Sequence, residues 1–118
     1  MSQRNAWIYC RIDAPEDTHG ALKGQYEQLQ RYAEQMEFTV VGSSQDLGTE
    51  LNMKSTGITA LMEAASTGAF STLLITSLAT LGRESDEREV ILYALAWYGI
   101  AIYSPLEGNV STEKGACR

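Results

Sequence analysis

Apolar residues along this chain fall into short continuous runs, separated by longer stretches where they recur every three or four positions. Ala6 to Ile12 (AWIYCRI) is the first run, rich in β-formers and too continuous to leave one side facing water. It predicts a buried first strand. Asp13 to Gly20 is a polar loop with a proline, the acidic pair Glu16-Asp17 and His19, the only histidine. From Ala21 the period changes, and Leu22, Tyr26, Leu29, Ala33 and Met36 line one face of a helix. Phe38 to Ser43 (FTVVGS) predicts a second strand that ends in the polar run Ser43-Ser44-Gln45-Asp46.

Leu47 to Ser55 is a loop by composition. Thr56 is the expected cap of a second helix, with Ile58, Leu61, Met62 and Ala65 as its apolar face and Gly68 as its end. Thr72 to Thr76 (TLLIT) is a third buried strand. Ser85-Asp86-Glu87-Arg88 opens a third helix, because acids in the first turn offset the positive end of the helix dipole. Val90, Ile91, Ala94, Leu95 and Tyr98 form its expected apolar stripe, Gly99 closes it, and Ile100 to Tyr103 is a fourth strand. Strands alternating with helices indicate βαβ units. The expected fold is α/β: one domain over 1–118, with a flavodoxin-like, open, mostly parallel sheet of order 2-1-3-4. Helices should cover both faces, and chemistry should gather beyond the carboxyl ends of strands one and three.

Composition narrows the function classes. Nine Lys and Arg against fifteen Asp and Glu give a formal charge of −6, which argues against an independent DNA binder, since phosphate neutralisation supplies most non-specific affinity. Two cysteines, Cys10 in a strand and Cys117 at the tail, are no disulfide framework and fit a reducing compartment. Without an apolar run long enough to span a bilayer, and without a leader segment, the expectation is a soluble cytoplasmic protein. His19 lacks spaced partners for a metal site, and Gly20, Gly24 and Gly48 lack phosphate-loop spacing, so no metal and no cofactor is expected. Trp7 and Trp97 are expected in the core or an interface. Ser43, Ser44 and Ser77 are strand-end hydroxyls with no histidine placed to activate them.

Six segments in order resemble the N-terminal catalytic domain of serine recombinases, the resolvase/invertase family. Tyr9-Cys10-Arg11-Ile12-Asp13 is similar to the family's Tyr-x-Arg-Val-Ser, and Gly20 to Gln25 to its Ser-Leu-x-x-Gln helix start. Asp46-Leu47-Gly48-Thr49 resembles Asp-x-Gly-x, and Ser55-Thr56-Gly57-Ile58 falls where the family has Arg-x-Gly-Leu. Leu78-Ala79-Thr80-Leu81-Gly82-Arg83 matches Leu-Asp-Arg-Leu-Gly-Arg, and Asn109-Val110-Ser111-Thr112 resembles the segment before the family's long dimerisation helix. That helix and the DNA-reading module that follows it in the family are expected to lie outside this chain.

The resemblance implies a serine that attacks a DNA phosphodiester, arginines that grip the phosphate through planar forks, and a carboxylate beside them. Arg11 and Arg83 keep their places, and with Gln25 they are the implied phosphate-binding residues. Asp13 stands at the nucleophile position, Ser55 at the loop arginine, Ala79 at the carboxylate and Thr80 at the middle arginine. A carboxylate nucleophile at Asp13 would face the negative charge of the diester with fewer arginines to offset it. Lys54 is a flexible point charge and a poor replacement for a guanidinium. The expected function is therefore that of a recombinase catalytic-domain homologue unable to cut DNA. It would be linked to DNA through the intact family context and would act as a homodimer or alongside a recombinase. The alternatives are an active domain with an altered site that needs C-terminal regions, and an acidic module that binds a protein partner.

Overall fold

The computed structural model describes residues 4–12, 19–48, 55–81 and 85–110. Its sheet has the order β2-β1-β3-β4-β5, formed by β1 (Asn5–Ile12), β2 (Thr39–Leu47), β3 (Thr72–Leu74), β4 (Ala101–Ser104) and β5 (Gly108–Asn109). The first four are mutually parallel, as expected for βαβ units, and β5 adds antiparallel to β4. The expected order 2-1-3-4 thus gains an edge strand. A turn at Pro105–Glu107 and Gly108 at φ +77° fold the chain back to make it.

β2 also runs further than its composition predicts. The polar run Ser43 to Asp46 stays in the ladder, pairing Ile8↔Ser43 through Arg11↔Asp46, and Leu47 pairs with Ile12. An edge strand of this kind need only bury alternate side chains, so polar residues on it do not end it. β3, in contrast, stops at Leu74, short of the predicted Thr76.

Both faces of β1 are covered, which explains its uninterrupted apolar run. Ala6, Ile8 and Cys10 point to α1 (Ala21–Met36) and pack with Leu22, Leu29 and Ala33. Tyr9 points the other way, into a second cluster with Ile58, Leu61 and Met62 of α2 (Thr56–Ser66) and Ile91 and Leu95 of α3 (Ser85–Trp97). The result is three layers, with helices on both faces. α1 ends where Glu37 takes a left-handed φ of 64° and Phe38 N–H returns to the Ala33 carbonyl at 2.8 Å.

One side-chain expectation is corrected. Ile91 and Leu95 carry the buried face of α3, while Val90 and Tyr98 of the predicted stripe are exposed. The buried stripe is narrower because only one side of α3 meets the sheet. Trp97 is 77% exposed and so lies outside the core. Trp7 meets the expectation, stacking on Phe70 with ring centroids 5.5 Å apart.

Candidate functional site

Arg11 lies near the carboxyl end of the central strand β1, three positions beyond Ile8↔Leu74, the last pair with β3. Its N–H and C=O therefore have no neighbouring strand on that side. Gln25 of α1 fills the gap: its Oε1 accepts from Arg11 N–H at 3.1 Å, and its Nε2 donates to the Arg11 carbonyl at 2.9 Å. One side-chain amide so replaces a strand, satisfying donor and acceptor together. The Arg11 side chain is only 8% exposed, and its Nη2 donates to the Gly48 carbonyl at the end of β2, 2.9 Å away. Gln25, expected from the resemblance to bind phosphate, here fixes the main chain from which the Arg11 guanidinium projects.

A second group of residues joins β2 to the start of α2. Asp46 Oδ1 accepts from Gly57 N–H at 2.8 Å, and its Oδ2 accepts from Ile58 N–H at 3.1 Å and from the Tyr9 hydroxyl at 2.6 Å. The carboxylate thereby caps the helix from a neighbouring strand, where the dipole favours negative charge. Thr56 was the expected cap; it is instead the first helical residue, and Ser55, at the cap position, makes no side-chain capping bond. Ser44 Oγ donates to the Gly57 carbonyl at 2.8 Å and accepts from Trp7 Nε1 at 3.0 Å. Gly57 is required here, because a Cβ would lie 2.6 Å from the Gln45 carbonyl oxygen and 2.7 Å from Asp46 Oδ2. Burial pushes the Tyr9 phenol far above its ordinary range, reinforced by its bond to Asp46.

Sequence reasoning noted Asp46 and Gly57 only as parts of two separate motifs. The structure makes them one joint, which sets Ser55, at the family's loop-arginine position, at the start of α2. The signal was present in the alternation Gly42, Ser44, Asp46, three small or polar residues on one side of β2.

The third group lies beyond β3. Leu78–Leu81 form a 3₁₀ turn in which Thr80, where the resemblance implies the middle arginine, is buried and shares a 3.0 Å hydrogen bond with the Thr76 hydroxyl. Ala79, at the carboxylate position, is exposed. Ser104 Oγ donates to the Thr76 carbonyl and accepts from Leu106 and Glu107 N–H, while Glu107 Oε1 accepts from Leu78 N–H. The turn is thus tied to the β4–β5 connection.

Asp13, Lys54, Arg83 and Cys117 lie outside the described residues, so the arrangement of Asp13 and Arg83 around Arg11 is not given by the structure. Cys10 is a buried free thiol, pushed up to about 11 by burial. His19 is exposed. Among the described residues there is no cluster of three metal-ligating side chains, and no helix is long and apolar enough to cross a membrane.

No curated protein matches the chain by sequence. Solved structures match its fold. The N-terminal catalytic domain of TP901-1 integrase superposes with a TM-score of 0.79 at 21% identity, over 97% of this chain and 87% of that one. A resolvase family site-specific recombinase from Streptococcus pneumoniae gives 0.78 at 19% identity, covering 97% and 80%. The C-terminal catalytic domain of ISC1926 TnpA, an IS607-like serine recombinase, gives 0.76 at 24% identity, covering 95% and 77%. These likenesses establish the fold. The sequence itself matches the family described as "Resolvase, N terminal domain" over residues 6–116, nearly its whole length. That match, over most of the chain and on a sheet of this order, means that the chain belongs to the resolvase N-terminal domain family.

Proposed function

We propose that this chain is a recombinase catalytic-domain homologue, tied to site-specific DNA recombination, that does not cleave DNA and acts by pairing with or modulating a recombinase. The observation that carries this reading is Thr80. Where the family has an arginine, this chain has a short side chain turned inward and hydrogen-bonded to Thr76, with nothing to extend toward a phosphate. The substitutions Asp13, Ser55 and Ala79 at the nucleophile, loop-arginine and carboxylate positions support the same reading. Removing one well-placed electrostatic donor costs roughly 10²–10³ in rate, and several losses together with the hydroxyl leave no route to strand cleavage. A partner-binding role is favoured by the exposed Val90, Tyr93 and Trp97, spaced along one side of α3.

The test is a recombination assay in cells, on a plasmid carrying two copies of the DNA that flanks this gene. The expected outcome is no deletion or inversion product. Recombinant plasmid dependent on this gene alone would overturn the proposal in favour of an active domain with an altered site.

A further inference from the structure

The amino-terminal part of α1 and the carboxyl-terminal part of β2 enclose a groove of about 420 Å³, lined by Leu22, Lys23 and Tyr26 on the helix and Ser43, Ser44 and Gln45 on the strand. Cys10 of β1 closes its floor. This groove lies on the α1 face of the sheet, opposite the face where Tyr9 and Asp46 meet α2.

The wall formed by β2 is a sheet edge. Gly48 N–H donates to the Ile12 carbonyl at 3.1 Å, so Gly48 turns its polar groups toward β1. Along a parallel strand these groups alternate in direction. Ser43, Gln45 and Leu47 therefore direct their N–H and C=O outward; the Gln45 carbonyl lies close to Gly57 of α2, and no strand among the described residues pairs with any of the three. All three residues are exposed. β2 carries neither lysine nor proline, the usual guards of an exposed edge, and its one register shift lies at the other end, between the partners of Ala6 and Trp7.

An edge with outward polar groups beside a helix-walled groove is the geometry of strand addition, where main-chain bonds give affinity and the groove reads alternate side chains. Among the described residues of the lining, Lys23 is the one charged side chain, and no carboxylate accompanies it. We propose that this groove binds an extended peptide of a partner protein as an added strand on β2. An acidic residue of the peptide sits against Lys23, and an apolar neighbour two positions away fills the space over Cys10, Leu22 and Tyr26. A second copy adding its own β2 does not meet this requirement. The only acid of its β2, Asp46, is already committed to Tyr9, Gly57 and Ile58 and has no carboxylate to offer Lys23. The proposal is independent of whether the chain cleaves DNA.

The test is selection of random octapeptides displayed on phage against the immobilised full chain, followed by titration of the synthetic peptides by fluorescence anisotropy. Enriched peptides should carry an acid with an apolar residue two positions away. Their amide-shift perturbations in the protein should fall on 22–26 and 43–47. N-methylation of alternate peptide amides and Gln45→Pro, which removes an outward N–H at an edge that tolerates proline, should each weaken binding roughly fivefold. Lys23→Glu, an exposed change on a helix surface, should shift preference from acidic to basic peptides. Should Gln45→Pro fail to fold, the N-methylated peptides and Lys23→Glu decide alone. Failure to enrich any peptide, binding unmoved by N-methylation and by Lys23→Glu, or perturbations that map to α3 would overturn the proposal.

Discussion

At the scale of single residues, the amide of Gln25 has the largest structural task for its size. It satisfies both main-chain groups of Arg11 where β3 has already ended. Gln25→Ala should cost about 1–3 kcal/mol, because it leaves a strand-end donor and acceptor without partners. Urea denaturation measures this directly, and a loss below about 0.5 kcal/mol would show that water replaces the amide without penalty. Cys10 and Tyr9 add a pH dependence of defined sign. Both are acids that the fold holds in their protonated, neutral form, chiefly through burial. An unfolded thiol releases its proton near 9.0, while folded Cys10 holds it to about 11. The stabilisation is complete below pH 9 and is lost as pH rises toward 11, with Tyr9 extending the loss upward from about 10. Denaturation midpoints should fall across pH 9 to 10.5 in the wild type, and less steeply in Cys10→Ala. Equal slopes would place the loss elsewhere.

At the scale of elements, the junction of β2 with α2 decides where the chain can turn. Gly57→Ala should lower stability by about 1–3 kcal/mol, since its Cβ would press on the Gln45 carbonyl, which is main chain between two residues bonded to β1 and cannot rotate away. Thermal melting reads this, and an unchanged midpoint would mean that α2 shifts freely on the sheet. The same junction marks the limit of what pattern alone reveals. Period and length located all three helices and four of the five strands, because β1, β3 and β4 are hydrophobic runs and the buried faces of α1 and α2 repeat cleanly. They shortened β2, because Ser43 to Asp46 has the composition of a loop and only pairing with β1 holds it extended. They missed β5, a two-residue strand with no apolar signature. Of the candidate site, the positions of Arg11 and Gln25 were legible in the motifs, but the Gln25 clamp was not, since it depends on where β3 stops. The inward turn of Thr80 likewise depends on Thr76 meeting it across a 3₁₀ turn, which no spacing rule encodes.

At the scale of the whole molecule, the architecture is resolvase-type, while the proposed function rests on four positions where the resemblance implies phosphate-handling or nucleophilic side chains and this sequence has others. The sheet order, the Gln25 clamp and the Asp46–Gly57 joint hold the fold together. The replaced parts, Asp13, Ser55, Ala79 and Thr80, are those that the resemblance assigns to chemistry. A net charge of −6 adds a general repulsion from DNA, felt most at low salt. The central claim is that such a chain cannot form the covalent protein–DNA bond on which recombination of this kind depends. It is tested most directly by incubating the purified protein, and separately its Asp13→Ser variant, with supercoiled DNA from the gene's own flanks, then resolving the products on a denaturing gel. The account predicts no DNA-linked protein band from either, because restoring the hydroxyl leaves Ser55 and Thr80 in the places of two arginines. A covalent adduct from the wild-type chain would contradict it.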